Sequence, residues 1–191
     1  MTAISFIPSL ADKGIPTMAF QLDGKPTTMT ILGILKGFQY RQLWGLFLLS
    51  IRYPLYIYPT LKATSQSFLR AKREFPENHG KKGKANAYRH AYWNGSICFE
   101  CKKWSKNTRR ILAWAELITN KHEQLSPNAP LDDHMDLHNN KIGRNLFISS
   151  SFKSLDEISK TIKNKLEFAK KVDRIEDMAL YPLDMVYLIE E

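Results

Sequence analysis

Two stretches of this sequence place polar residues at the same helical spacing. The first follows an i, i+3, i+4, i+7, i+8 pattern and comprises Asn86, Arg89, His90, Trp93 and Asn94. The second repeats that pattern with Asp136, Asn139, Asn140, Gly143 and Arg144. This spacing puts each set on one face of a helix. Because an unpaired buried polar group costs about 1 to 3 kcal/mol, we predict that the two faces meet in a polar network or an active site.

The second face contains residues suited to contact with a neighbouring helix or an anion. Gly143 would allow close approach of two backbones. Arg144 could pair with Asp136 across the seam or bind an anionic group through two hydrogen bonds. His138 points away from this face in a regular helix, and rejoins it if Asp136 is the N-cap.

A third stretch places a histidine beside a carboxylate. His122 shares a helix face with apolar Ile111 and Ala115, so it is predicted to point inward with Glu123 next to it. A core histidine that is satisfied by its neighbours is the alternative interpretation, and the nearby ionisable residues make the two interpretations about equal.

The imidazoles and carboxylates in these stretches are suitable ligands for zinc, and equally suitable for a metal-free general base. No compact metal motif is present, so the cofactor is unknown, with a divalent metal ion as one candidate. The candidate metal ligands are His90, His122, Asp136 and His138. The candidate catalytic residues are His90, His122, Glu123, Asp136 and His138. The candidate substrate-binding residues are Arg89, Trp93, Asn94, Asn139, Asn140 and Arg144.

The apolar periodicity predicts a mainly α protein, a compact multi-helix bundle with an irregular or short β N-terminal segment and an extended C-terminal tail. Helices are predicted over residues 30–50, 60–75, 85–104, 108–124 and 133–147. A further helix should follow the capping box Ser154-x-x-Glu157. We predict an extended segment over 1–28, with a short hairpin around Leu22–Lys25. Residues 29–191 should form a single helical domain with its functional core at 60–148.

Residues 31–58 are the most apolar part of the chain, but charged residues interrupt them and Pro54 would break a helix. A buried helix and a membrane-surface element are both consistent with this stretch. The N-terminus lacks the pattern of a secretory signal peptide. The only cysteines, Cys98 and Cys101, provide half a zinc site at most and are expected to be small core residues.

The chain has 28 lysines and arginines against 19 acidic residues, which gives a net charge of +9. This charge favours acidic partners such as nucleic acid, anionic lipid or an acidic inhibitor protein. A solvated surface that maintains solubility explains the charge equally well.

Three motifs, NAYRHAYWN, KHE and MDLHNNKIGR, resemble a domain family found in bacterial polymorphic toxins and wall-associated proteins. The similarity covers residues 60–148. It implies an effector that is made in the cytoplasm, delivered without a classical signal peptide, and neutralised by a cognate immunity protein. This chain has Asn86 where the family commonly has aspartate and Gly95 where alanine is common.

Three functions are consistent with these observations. The first is a hydrolase that acts on a phosphate-containing target such as membrane phospholipid, with His90 or His122 as general base and Arg89 and Arg144 holding the anion. The second is a toxin nuclease acting on DNA or RNA. The third is a non-enzymatic membrane-disrupting or binding module, in which the polar residues form a structural network.

Overall fold

A computed structural model of the chain describes residues 17–22, 25–30, 48–76, 82–125 and 128–189. The chain divides into two compact units, Met1–Arg52 and Tyr53–Glu191. The expected helix over 30–50 and the apolar stretch 31–58 lie largely outside the described residues. Within the part that is described, no helix has the length and apolarity needed to cross a membrane.

The first unit contains a β-hairpin and a helical stretch at residues 48–52. Strand β1 (Thr17–Leu22) pairs antiparallel with β2 (Lys25–Thr30), and Leu22 faces Lys25 at the turn. A two-residue connection between short strands is typical of a tight hairpin. The hairpin predicted around these residues is confirmed.

The second unit is a helical bundle, which confirms the predicted fold class. Its helices are α1 (Pro54–Glu74), α2 (Lys84–Lys102), α3 (Thr108–Leu125), α4 (Pro130–Ser149) and α5 (Leu155–Glu167). Pro54 and Pro130 stand at the first positions of α1 and α4, where a missing N–H costs nothing. Pro54 therefore begins a helix here, and α4 is longer than the sequence predicted because it starts at Pro130.

Helix α2 is the central element, because it packs against α1, α3, α4 and α5. Its small and aromatic residues are buried on almost every side, with Ala87, Tyr88 and Ala91 fully inaccessible. Helix α5 covers one flank. Ser154 caps it by accepting a hydrogen bond from the Glu157 backbone N–H, which confirms the predicted N-terminus of this helix.

The chain after α5 returns to the bundle as an extended tail. Strand β3 (Lys170–Lys171) pairs in parallel with β4 (Val186–Tyr187), and a 3₁₀ helix (Ile175–Leu180) connects them. The Leu188 backbone N–H donates to the Lys82 carbonyl at 2.8 Å, just before α2 begins. The tail thus closes the bundle at the N-terminal end of α2.

Candidate functional site

Helices α2 and α4 approach each other backbone to backbone. A Cβ atom added at Gly143 would lie 2.1 Å from the Ala91 carbonyl oxygen. Since real Cβ contacts are much longer, glycine is required at this position for the helices to approach this closely. The role that the sequence predicted for Gly143 is confirmed.

The two predicted polar faces meet along this contact. Asn86 Nδ2 of α2 donates to Asp136 Oδ1 of α4 at 2.6 Å. Further along the contact, two turns on in α2 and one turn on in α4, Asn94 Nδ2 donates to Asn140 Oδ1 at 2.6 Å. The buried amides therefore find partners across the seam, as buried polar groups must.

His90 lies at the centre of the seam, between carboxylates from two other helices. Its Nε2 atom is 3.3 Å from Asp136 Oδ1, and its Nδ1 atom is 3.6 Å from Glu123 Oε1. The three residues are only 3%, 4% and 5% exposed for His90, Asp136 and Glu123. Helices α2, α3 and α4 thus each provide one ionisable group to a single buried cluster.

A chain of hydrogen bonds determines which nitrogen of His90 is protonated. Arg144 Nη1 donates to Asn94 Oδ1 at 2.9 Å, and a guanidinium can only donate. Asn94 must therefore use Nδ2 as the donor to Asn140 Oδ1. That oxygen in turn faces His90 Nδ1 at 3.3 Å, so Nδ1 carries the proton and the lone pair is on Nε2.

A second arginine orients the other asparagine of the seam in the same way. Arg89 Nη2 donates to Asn86 Oδ1, so that Asn86 presents Nδ2 to the Asp136 carboxylate. Arg89 Nη2 also lies 3.3 Å from the His90 Nε2 lone pair. Within the described residues Arg89 forms no salt bridge. Burial lowers the pKa of its guanidinium, and the charges of Asp136 and Glu123 offset part of this effect.

The cluster is short of positive charge. Burial raises the pKa of Glu123 to about 7. Burial, together with repulsion from Glu123, raises the pKa of Asp136 to about 8. Burial and the nearby Arg89 guanidinium hold the pKa of His90 well below its usual value, so its imidazole is neutral. One guanidinium is thus the nearest cation to two buried carboxyl groups.

Half-buried side chains lie beside this cluster. Trp93 contacts the His122 ring edge-on, with the ring centroids 5.1 Å apart, and its Nε1 donates to Thr64 Oγ1 at 2.9 Å. The Trp93 and His90 ring centroids are 6.4 Å apart. We call Arg89, Trp93 and His122 the rim, because they are partly exposed and lie beside His90.

The structure reverses the expected roles on α3. Glu123 is the buried residue that faces His90, whereas His122 is half-buried in the rim. The fully inaccessible positions Ile111, Ala115 and Thr119 precede Glu123 in four-residue steps. Each such step advances about 40° around a helix, so the buried face has moved from the His122 position to the Glu123 position by the end of α3.

Two predicted site residues of α4 lie on the side of the tail, away from the cluster. His138 Nε2 lies 2.8 Å from the Asp184 carbonyl. Asn139 exchanges two hydrogen bonds with the Val186 backbone, at 2.9 and 3.2 Å. Because α4 begins at Pro130 and not at Asp136, His138 keeps the outward direction of a regular helix.

Of the two roles considered for Arg144, the pairing with Asp136 does not occur. The two residues are eight steps, about 12 Å, apart along α4, and Arg144 instead pairs with Glu116 of α3 at 3.2 Å. Glu116 and Thr119, whose hydroxyl is 3.4 Å from Asn94 Oδ1, were not among the predicted site residues. Asn86 was on the predicted face, and its spacing from His90 was the only indication of its role.

The two cysteines lie elsewhere in the core. Cys98 and Cys101 are free and inaccessible to solvent. Burial raises the pKa of each thiol to about 12. The prediction that they are small core residues is confirmed.

Fold and site together define a mainly helical protein with a buried histidine and carboxylate cluster, oriented by two arginine and asparagine pairs. The model of the family described as "Domain of unknown function (DUF6973)" matches residues 47–170. That match covers more than half of the chain, so the protein belongs to this family. No curated protein and no solved structure matches the chain.

Proposed function

We propose that this chain is an antibacterial effector domain that hydrolyses a phosphate ester, with membrane phospholipid as the target. The observation that best supports this proposal is the convergence of His90, Glu123 and Asp136 from three helices, with Arg89 beside them. Residues that are buried only to stabilise a bundle are rarely ionisable. Groups with strongly shifted pKa values cluster at functional sites.

Arg89 is suited to hold the phosphate. It lies on the partly exposed side of the cluster and makes no salt bridge with a described residue, so an anionic ligand can reach the guanidinium. A guanidinium binds two phosphate oxygens at once. Arg144, the other predicted anion ligand, is already held by Asn94 and Glu116 and is better assigned as a positioning residue.

The reaction we propose consumes one water for each ester cleaved. The water oxygen forms a bond to phosphorus, the ester P–O bond breaks, and the proton lost by the water returns to the leaving alkoxide. Water activation has two routes at this cluster: the Nε2 lone pair of His90 as general base, or a bound cation.

An exposed surface at the other end of α2 supports a lipid target. Leu55, Tyr58 and Trp104 are exposed at 59%, 39% and 51%, and the rings of Tyr58 and Trp104 are 5.9 Å apart. Exposed basic residues accompany them, namely Lys102, Lys103, Lys106, Arg109 and Arg110. Apolar and aromatic side chains among lysines and arginines are typical of proteins that bind anionic membrane surfaces.

This surface is separate from the cluster. Lys102 is twelve residue steps after His90, a distance of about 18 Å along α2. We therefore assign the surface to recruitment, and the cluster to the reaction.

The test combines purified protein with vesicles of phosphatidylglycerol and phosphatidylethanolamine, and with plasmid DNA and RNA. We expect lipid products by mass spectrometry and intact nucleic acid. His90→Gln should reduce the rate at least 100-fold without a large change in melting temperature. His134→Gln, which alters an exposed histidine of α4, is the matched control and should retain full activity.

The other outcomes of this test favour the other two functions. If nucleic acid is cleaved and the lipid stays intact, the protein is a nuclease whose target is DNA or RNA. The net charge of +9 is consistent with binding to nucleic acid. The near-complete burial of His90 favours the non-enzymatic function, in which the polar residues form a structural network. If that function is correct, no substrate is consumed and His90→Gln unfolds the domain. Expression in bacterial cells adds an independent measure, because the wild type should arrest growth and His90→Gln should not.

A further inference from the structure

We propose that His90 Nε2 and the carboxylates of Glu123 and Asp136 form a binding site for one divalent transition-metal cation, Zn²⁺ or Mn²⁺. One ligand atom from each residue lies within 4.8 Å of the other two. Ligand atoms around a single small cation are separated by about 3 to 4 Å, so small side-chain movements complete the site. The inference rests on the proposed function, because it uses the same three side chains as the reaction centre.

The hydrogen bonds around the three side chains match those of an outer coordination shell. Asn140 contacts two of them: its Oδ1 accepts from His90 Nδ1, and its Nδ2 donates to Glu123 Oε1 at 3.4 Å. Asn86 donates to Asp136. Metal-binding histidines characteristically donate their second ring N–H to a fixed acceptor, and ligating carboxylates are themselves hydrogen-bonded. Each proposed ligand therefore has a buried amide that orients it.

The orientation of His90 selects the ligand atom. Its Nδ1 donates to Asn140, so the lone pair on Nε2 points to the side where Asp136 Oδ1 lies 3.3 Å away. Glu123 Oε1 lies 3.6 Å from Nδ1, so the Glu123 side chain must turn to reach a cation at Nε2. A lone pair that faces a carboxylate oxygen at this distance needs a proton or a cation between the two atoms. Arg89 Nη2, 3.3 Å from Nε2, provides one positive charge, whereas two ionised buried carboxylates require two.

The ligand set indicates the kind of cation. One imidazole nitrogen with two carboxylates suits Zn²⁺ and Mn²⁺, whereas Ca²⁺ needs six to eight oxygen ligands. Three protein ligands leave a coordination position for water, whose pKa a cation lowers towards 7. Of the two routes to an activated water, the site therefore favours the cation, with His90 as its ligand and not as the base.

The same arrangement assigns a second task to Arg89. A cation that takes the Nε2 lone pair removes the acceptor that Arg89 Nη2 now faces. The half-buried guanidinium is then free to turn to a phosphate oxygen. Cation binding and phosphate binding are thus linked through one side chain.

The experiment titrates EDTA-treated full-length protein with Zn²⁺ and, separately, with Mn²⁺ by calorimetry. We expect one site per chain and a higher melting temperature when it is filled. Glu123→Gln and Asp136→Asn, which remove one charge each and keep the shape, should weaken binding at least tenfold. Glu167→Gln, which removes an exposed carboxylate of α5, is the control, and should change the affinity less than threefold.

X-ray absorption of the zinc-loaded wild type tests the ligands without any variant that could fail to fold. One imidazole with oxygen ligands agrees with the inference, and a sulfur ligand or a second imidazole overturns it. Absence of saturable binding, or binding that both carboxylate variants leave unchanged, also overturns it.

The metal site and the hydrolase can fail separately. If the protein binds no cation and hydrolysis persists in EDTA, the metal site is wrong. The proposed hydrolase activity then stands, with His90 as general base. Stoichiometric cation binding without hydrolysis of lipid or nucleic acid would support the metal site and contradict the proposed hydrolase activity.

Discussion

Arg144 and His90 do not touch, yet Arg144 determines the tautomer of His90 through two intervening asparagines. The link begins with the 2.9 Å hydrogen bond from Arg144 Nη1 to Asn94 Oδ1. It continues through Asn94 Nδ2 to Asn140 Oδ1, the acceptor for His90 Nδ1. Because a guanidinium has no acceptor, each later group in this chain has only one satisfactory orientation.

We expect nitrogen NMR of ¹⁵N-labelled protein to show His90 as the neutral tautomer with the proton on Nδ1. Arg144→Met should yield a mixture of tautomers and lower the free energy of unfolding by about 2 to 3 kcal/mol, since a buried hydrogen bond to a charged group is lost. Glu116→Gln removes only the partly exposed partner of Arg144. It should keep the tautomer and cost at most about 1 kcal/mol. A wild-type spectrum with the proton on Nε2 would contradict the assignment.

Gly143→Ala should be among the most destabilising single substitutions in the bundle. The added methyl group meets the Ala91 carbonyl at 2.1 Å, and backbone atoms cannot rotate away. We expect a loss of about 3 kcal/mol or more in urea unfolding. Gly95→Ala is the matched control, because its methyl group would lie 3.2 Å from the Ile158 Cγ2 methyl, a side-chain contact that a shift of a few tenths of an ångström relieves, and alanine favours the helix by about 1 kcal/mol. Equal losses in the two variants would argue against the close approach of α2 and α4.

Asn139→Ala should release the tail while the helices stay folded. Asn139 is fully buried and holds Val186 by both its amide groups. Its removal leaves the Val186 N–H and carbonyl without their side-chain partner, at about 1 to 3 kcal/mol for each unsatisfied group. Hydrogen exchange should accelerate over residues 170–188 and remain slow in α2. Uniform acceleration over the whole bundle would mean that the tail and the helices unfold together.

Arg89→Met should weaken substrate binding more than it weakens the fold. Arg89 is half-buried and forms no salt bridge with a described residue, so we expect a loss in stability of about 1 kcal/mol. The KM for a soluble phosphodiester should rise at least tenfold, because one bidentate anion contact is removed. Arg174→Met, at an exposed arginine of the tail, should leave KM unchanged. An unchanged KM in Arg89→Met would exclude this arginine from phosphate binding.

The two cysteines should be unreactive in the native protein. With no accessible surface and thiol pKa values of about 12, the thiolate fraction at pH 8 is about 10⁻⁴. Ellman's reagent should therefore find almost no thiol in native protein and two per chain in guanidinium chloride. Rapid labelling of native protein would show that the core around α2 opens readily.

The helical spacing was sufficient to predict which faces of α2 and α4 meet. Asn86, His90 and Asn94 follow one another at intervals of about one turn, and so do Asp136 and Asn140. An alignment of the two helices that pairs one of these asparagines therefore also brings the other polar residues together. The requirement for Gly143 could also be predicted, since no other residue in that face allows the backbones to touch.

The contacts that could not be predicted from the sequence mostly involve the third helix of the site, α3. Which of His122 and Glu123 faces the cluster depends on the packing of α3 against both α2 and α4, and local periodicity does not specify this. The partners of Arg144 come from α2 and α3, at long sequence separation. His138 was ambiguous because the start of α4 was unknown, and a shift of a few residues in a helix start changes which residue is the cap.

Because of the backbone contact at Gly143, the three cluster residues differ in how far their helices can move. His90 and Asp136 belong to helices whose main chains touch at Gly143. No layer of side chains lies between the two backbones there, so repacking of side chains cannot bring these helices closer together. Glu123 belongs to α3, which is held by side chains such as those of Asn140 and Arg144. Ions of different radius would therefore be accommodated mainly by a displacement of Glu123, because the helices that carry His90 and Asp136 keep a constant spacing.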